Sequence, residues 1–135
     1  MPLRLGILSN NIRANRTIAR AIGLHEAILL QQLVYQYGYY RDRKELTDIE
    51  PTKKNGLSQG EEAVYTTDEF LSQWTCLSKK QIAACRAKLI EMGLIKTYML
   101  KIPPRLHYVI NEEKIHELLD TDPANDGTPQ PDLKF

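Results

Sequence analysis

Residues 65–110, YTTDEFLSQWTCLSKKQIAACRAKLIEMGLIKTYMLKIPPRLHYVI, decide the fold. Thr66 and Glu69 have the T-x-x-E spacing of a capping box, which starts a helix over 67–74 whose Phe70, Leu71 and Trp74 are its expected buried residues. Only Thr75, Cys76 and Leu77 separate it from Ser78, a second N-cap that opens KKQIAACRAKLIEM; Gly93 stops that helix as its C′ glycine. Two helices joined by so short a turn read as a helix-turn-helix. Residues 94–100 and 106–110, rich in β-branched and aromatic side chains, read as two strands joined by Lys101-Ile102-Pro103-Pro104-Arg105, a hairpin in the position of a wing.

Upstream, residues 15–40 read as helical in two pieces divided near Gly23. Asn15 is the cap of the first, and Ile18, Ala19 and Ile22 mark its apolar face. The second piece, LHEAILLQQLVYQYGYY, is apolar almost all round, with Leu24, Ile28 and Tyr35 on one side, Leu30, Val34 and Tyr37 on another, and Leu33 opposite. Such a helix lies at the centre of a core or is shared with a second chain. Leu30, Leu33, Val34, Tyr37 and Tyr40 are therefore expected at a homodimer interface. Tyr35, Tyr37, Tyr39 and Tyr40 have a second use open to them, as a stacking platform for single-stranded bases, with the interface the preferred of the two. Residues 41–63 read as a long charged loop containing a short hairpin at Asn55–Gly56, before a brief strand at Val64 and Tyr65. Asn111 caps a final helix, NEEKIHELLD, whose Ile115, Leu118 and Leu119 can pack on the core. Residues 121–135 are an acidic, Pro-bearing tail or linker, expected to be disordered. One domain over 1–120 follows, of α+β, mainly α class: a winged helix-turn-helix with extra N-terminal helices and a two-stranded wing.

A chain of 135 residues with 42% hydrophobic side chains closes one core, which excludes fibrous and wholly disordered classes. Its 18 basic and 17 acidic residues nearly cancel, but they are segregated. Residues 1–20 and 79–105 together hold eleven Lys and Arg against the single acid Glu91, whereas from Glu112 onward seven acids face two lysines. One surface is thus expected to face a polyanion. The longest apolar stretch is broken by Gln31, Gln32 and Gln36, and LGIL near the start is too short for a signal peptide, so no membrane association and a cytoplasmic location are expected. Cys76 and Cys85 offer neither a disulfide framework nor a zinc quartet.

His25-Glu26 begins like H-E-x-x-H, but Leu29 stands where the second imidazole belongs, and His107 and His116 have no ligand at metal spacing. With no Gly-rich phosphate loop and no G-x-S-x-G, no enzyme activity, cofactor or metal is expected. The helix after Ser78 is more informative. On a 100° wheel Ile82, Cys85, Leu89 and Met92 face the core, Lys80, Ala83, Ala84, Ala87 and Glu91 face outward, and Lys79, Gln81, Arg86 and Lys88 lie on the flanks. A cationic helix N-terminus attracts phosphate, and a major groove admits such a helix. The expected DNA-contacting residues are Ser78, Lys79, Lys80, Gln81, Ala84, Arg86 and Lys88. Lys96, Lys101, Arg105 and His107 on the wing, with Arg13 and Arg16 near the start, complete the set. The alanines can touch a thymine methyl group but make no bidentate hydrogen bond, so base readout is expected to be modest.

With these elements in place, residues 65–110 resemble the winged-helix module of prokaryotic regulators and of phage and plasmid replication proteins. The likeness rests on a helix ending in Trp74, the Ser78-opened helix with Ile82 and Leu89, Glu91-Met92-Gly93-Leu94-Ile95, and a wing closing on Tyr108. Residues 23–33, GLHEAILLQQL, are similar to the first helix of phage replication initiators and DnaD-like primosomal proteins. The resemblance implies origin or operator binding by a dimer on double-stranded DNA, with 78–88 in a groove and 96–107 as the wing. Replication proteins are its implied further partners. It points to replication initiation or its control on a phage, plasmid or similar mobile element, with a transcriptional repressor of the same fold, or a winged-helix protein–protein adaptor, as the alternatives.

Overall fold

The structure, a computed structural model, describes residues 12–49, 61–101 and 104–120. Over these the chain is α+β and mainly helical. Five helices accompany four strands: α1 (Arg16–Ile22), α2 (Leu24–Asp42), β1 (Thr47–Ile49), β2 (Glu61–Tyr65), α3 (Asp68–Thr75), α4 (Lys79–Glu91), β3 (Ile95–Lys101), β4 (Pro104–Ile110) and α5 (Glu112–Asp120). The expected tail, 121–135, and the expected turn at Asn55–Gly56 lie outside the described residues.

Local chemistry accounts for the helix boundaries. The Asn15 side chain accepts from the Ile18 N–H at 3.2 Å and starts α1. Gly23 separates α1 from α2 at φ 111°, where a Cβ would run into the Glu26 carboxylate. α3 is capped one residue later than its sequence suggests: Thr67 accepts from the Phe70 N–H at 3.1 Å. Thr66 is buried instead, its hydroxyl accepting from the Gln36 side-chain amide at 3.3 Å, because the β2 backbone carries it beneath α2. Ser78 and Gln81 form a reciprocal capping box at α4, and Gly93, at φ 74°, follows that helix's C-cap. Asn111 accepts from the Lys114 N–H and opens α5, whose Ile115 is buried and whose Leu118 and Leu119 pack partly on the core.

The strands form one antiparallel sheet in the order β1-β2-β4-β3. β3 and β4 pair along their length, from Ile95 opposite Ile110 to Lys101 opposite Pro104, and β2 joins the other edge of β4 through Val64–Tyr108 and Tyr65–His107. Of the expected loop 41–63, the described residues 41–49 and 61–63 hold regular structure: α2 continues to Asp42, and Thr47, Asp48 and Ile49 pair with Ala63, Glu62 and Glu61. Three residues are too few for a period-2 pattern to register in the sequence, and the pairing comes from β2.

α2 is the centre of the molecule. It packs on α1, α3, α4, β2 and β4, and its Leu29, Leu30 and Leu33 are fully buried with Leu71, Ile82, Leu89 and Tyr108. Each such leucine contributes about 1.5–3 kcal/mol by burial. Leu30 and Leu33 therefore belong to the chain's own core rather than to an interface between copies. Of the other three residues expected there, Val34 is exposed, whereas Tyr37 and Tyr40 pack partly against the core. Phe70 and Trp74 also depart from expectation, at 38% and 50% exposed. Leu71 and Thr75, one position on, take the inward register of α3, which turns the two rings about 100° away.

Candidate functional site

Two hydrogen-bonded turns fix the geometry between α3 and α4. The Thr75 hydroxyl donates to the Leu71 carbonyl at 2.6 Å and accepts from the Leu77 N–H, while the Ser72 hydroxyl donates to the Leu77 carbonyl at 2.7 Å. Cys76, between them, takes the left-handed conformation at φ 60°. α4 then presents Lys80, Ala83, Ala84, Ala87 and Glu91 to solvent, with Ile82, Cys85 and Leu89 inward, as its wheel predicts, and Lys79 on the flank is exposed as well. Its first N–H groups add a partial positive charge beside Lys79 and Lys80.

The cations expected on this face fall into distinct classes. Arg86 is not a free rim residue. Its guanidinium donates to both Asp68 oxygens, at 2.6 and 3.2 Å, and to the Tyr108 hydroxyl at 2.8 Å, with its side chain 17% exposed. The Asp68 carboxylate, with a smaller contribution from Tyr108, holds it charged more firmly than an ordinary arginine, against the opposing effect of burial. Arg86 thus ties the start of α3 and the middle of α4 to the central strand β4. Lys88 points the other way, donating to the Ile22 carbonyl at 2.7 Å and lying 3.8 Å from Glu26, where it closes the C-terminus of α1. His107 is buried, packed on the Tyr65 ring, and its Nδ1–H donates to the Arg105 carbonyl at 3.0 Å. β4 is an inner strand, paired on both edges, and shelters it. These three are structural positions.

Lys79 and Lys96 are paired in a looser sense. Lys79 meets Glu69 at 2.9 Å with both side chains more than half exposed, and Lys96 meets Glu61 at 3.3 Å. The Lys79 ammonium holds the Glu69 carboxyl below its ordinary value. The Lys79–Glu69 pair, exposed on both sides, contributes little and opens readily, whereas Glu61 is only 19% exposed and holds Lys96 more firmly. Ser78 and Gln81 spend their side-chain oxygens on the capping box. Lys80 and Arg105 are exposed with no carboxylate partner among the described residues, and the Arg105 guanidinium lies 5.2 Å over the Tyr65 ring. Lys101 ends β3; Arg13 and Arg16 are exposed at the other end of the chain.

A groove beside the helix-turn-helix brings Tyr35 and Tyr39, two of the tyrosines with a stacking use open to them, together with Phe70 and Trp74, which the sequence placed in the core. About 520 Å³ in volume, it is walled by Tyr35 and Tyr39 from α2 and by Phe70 and Trp74 from α3, with Arg13 on its lining. The usable signal was a pair of i, i+4 aromatic pairs, Tyr35/Tyr39 and Phe70/Trp74, each one helical turn apart on its helix.

Among the described residues no group of His, Cys, Asp and Glu is arranged to hold a metal ion, and no helix is long and apolar enough to cross a membrane. No protein-family model, curated protein or solved structure matches the chain.

Proposed function

We propose that this chain is a non-catalytic DNA-binding protein of winged-helix type, with α4 entering a duplex major groove and the β3–β4 hairpin acting as the wing. The observation that carries the proposal is the outward face of α4: a capped helix braced from behind by Ile82, Cys85, Leu89 and Arg86 offers a cationic N-terminal half, followed by the small side chains of Ala83, Ala84 and Ala87 before Glu91 ends the face. Small residues let a helix approach base edges closely, and Lys79 and Lys80 with the helix N–H groups supply the phosphate contacts. The order α2, β2, α3, α4, β3, β4 with β4 between β2 and β3 is compatible with that reading. By its resemblance to phage and plasmid replication proteins, its place is replication initiation or its control on a mobile element, with replication proteins as partners and two copies on the DNA.

The test is fluorescence anisotropy with a labelled 30-bp duplex over a salt series, with light scattering of the same samples. Lys79, Lys80, Lys101 and Arg105 neutralise about four phosphates, which gives a log–log salt slope of roughly −3.6, and Lys80→Ala reduces it by about 0.9. A slope near zero, or no binding at low salt, overturns the proposal.

A further inference from the structure

The exposed aromatic groove between α2 and α3 plays no part in duplex binding as proposed above. Tyr35 is 67% exposed, Trp74 50%, Tyr39 44% and Phe70 38%, a concentration of ring surface that a free globular chain buries unless something occupies it. We propose that the groove binds unpaired bases of a single-stranded nucleic acid, stacked on these rings.

Three observations select that occupant. First, among the described residues the lining holds no carboxylate and one guanidinium, that of Arg13, so its charge suits a phosphodiester strand and opposes a basic peptide. Second, Gln31, Gln32, Gln36 and Gln73 stand among the rings. An amide offers a donor and an acceptor side by side, which the edges of unpaired bases match. Gln36 is 6% exposed, its amide nitrogen is committed to Thr66, and its Oε1 has no donor among the described residues. Third, Cys76 lies on the lining and Ser78 caps α4, so the groove reaches within about 7 Å of chain from the α4 N-terminus. A strand with bases in the groove can place a phosphate at that N-terminus, and this third point rests on the proposed function. The protein would then hold duplex on α4 and opened strand beside it.

The assay uses the full chain, whose single tryptophan, Trp74, is itself in the groove. Titration with dT12 is expected to quench Trp74 fluorescence, as a stacked base does, and Tyr35→Ala to weaken dT12 binding about tenfold, the loss of one stacked base. Tyr35 is exposed enough for the variant to fold, and its affinity for duplex is expected to change by less than twofold. Duplex binding without dT12 quenching overturns the groove proposal and leaves the winged-helix reading standing. Quenching by dT12 without duplex binding does the reverse. Equal quenching by dTMP and dT12 at matched nucleotide concentration assigns the site to a free nucleotide and overturns the strand. Light scattering that shows a dimer lost in Tyr35→Ala assigns the rings to a second copy and overturns it equally.

Discussion

Replacing Arg86 by Met separates a brace from a DNA contact. The methionine keeps most of the apolar stem and deletes the donors to Asp68 and Tyr108. Tyr108 is fully buried, so its orphaned hydroxyl costs about 1–3 kcal/mol. Asp68, with a side chain 34% exposed, regains water, and the loss of its pair falls toward the surface value of under about 1 kcal/mol. Arg86→Met is therefore expected to destabilise by about 2–3 kcal/mol, lowering Tm by roughly 10–15 °C for a domain of this size. Tyr108→Phe, which removes only the hydroxyl, costs about 1 kcal/mol. The double variant is expected to be about 1 kcal/mol more stable than the sum of the two, because no hydroxyl is left to be orphaned. Urea unfolding followed by far-UV circular dichroism measures all three. At 10 °C, where Arg86→Met is still folded, its duplex affinity is expected to lie within threefold of the parent. Unchanged stability with a tenfold loss of affinity would refute the assignment and return Arg86 to the DNA face.

Three further outcomes follow from local geometry. Cys76→Gly relieves a left-handed conformation that costs a residue with a Cβ roughly 1 kcal/mol, so its Tm is expected to rise by a few degrees in a thermal melt. The two thiols are expected to differ in reactivity: exposed Cys76 is labelled by a thiol reagent at pH 8, whereas Cys85, whose pKa burial pushes above the ordinary 9.0 with help from Glu26 and against Lys88, is labelled only on unfolding. Tyr108 is raised above 10.0 in the same sense, chiefly by burial. Groups raised in the folded state contribute stability that is complete below their unfolded values and lost as pH climbs through the folded ones. Urea midpoints should thus be insensitive to Cys85 and Tyr108 up to about pH 8, then fall, with Tyr108→Phe removing part of the fall above pH 10.

α4 was the most legible part of the chain because its signals are local: Ser78 and Gly93 bound it, and Ile82, Cys85 and Leu89 recur at helical spacing. Arg86 shows where locality ends. A wheel places it on a flank, and nothing nearby in sequence reveals Asp68, 18 residues earlier, or Tyr108, 22 residues later. Apolarity misled in both directions around α2. Leu30 and Leu33 read as surplus surface because the helix is apolar all round, yet α1, α3, α4 and the sheet cover the side that bears them; Phe70 and Trp74 read as core, yet α3 is one short helix with room inward only for Leu71 and Thr75. His107 follows Leu106 and precedes Tyr108 in a strand, where alternation suggests one face for solvent, but pairing on both edges of β4 and the Tyr65 ring enclose it.

The same distinction reshapes the charge argument. Eleven cations in two acid-poor stretches suggest a broad footprint on a polyanion, and the structure divides them by burial rather than by number. Arg86 and Lys88 hold helices in place through buried or backbone partners, and using either on a phosphate means dismantling the fold that presents the other contacts. Lys79 is different: its pair with Glu69 is exposed on both sides and opens readily, so that pair keeps Lys79 close to the α4 N-terminus without removing it from use. Repulsion between Glu69 and a nearby phosphate then penalises every register in which Lys79 fails to move. On the proposed duplex-binding reading about four phosphates are neutralised, and replacing Glu69 by Gln should raise duplex affinity by severalfold while leaving the salt slope unchanged.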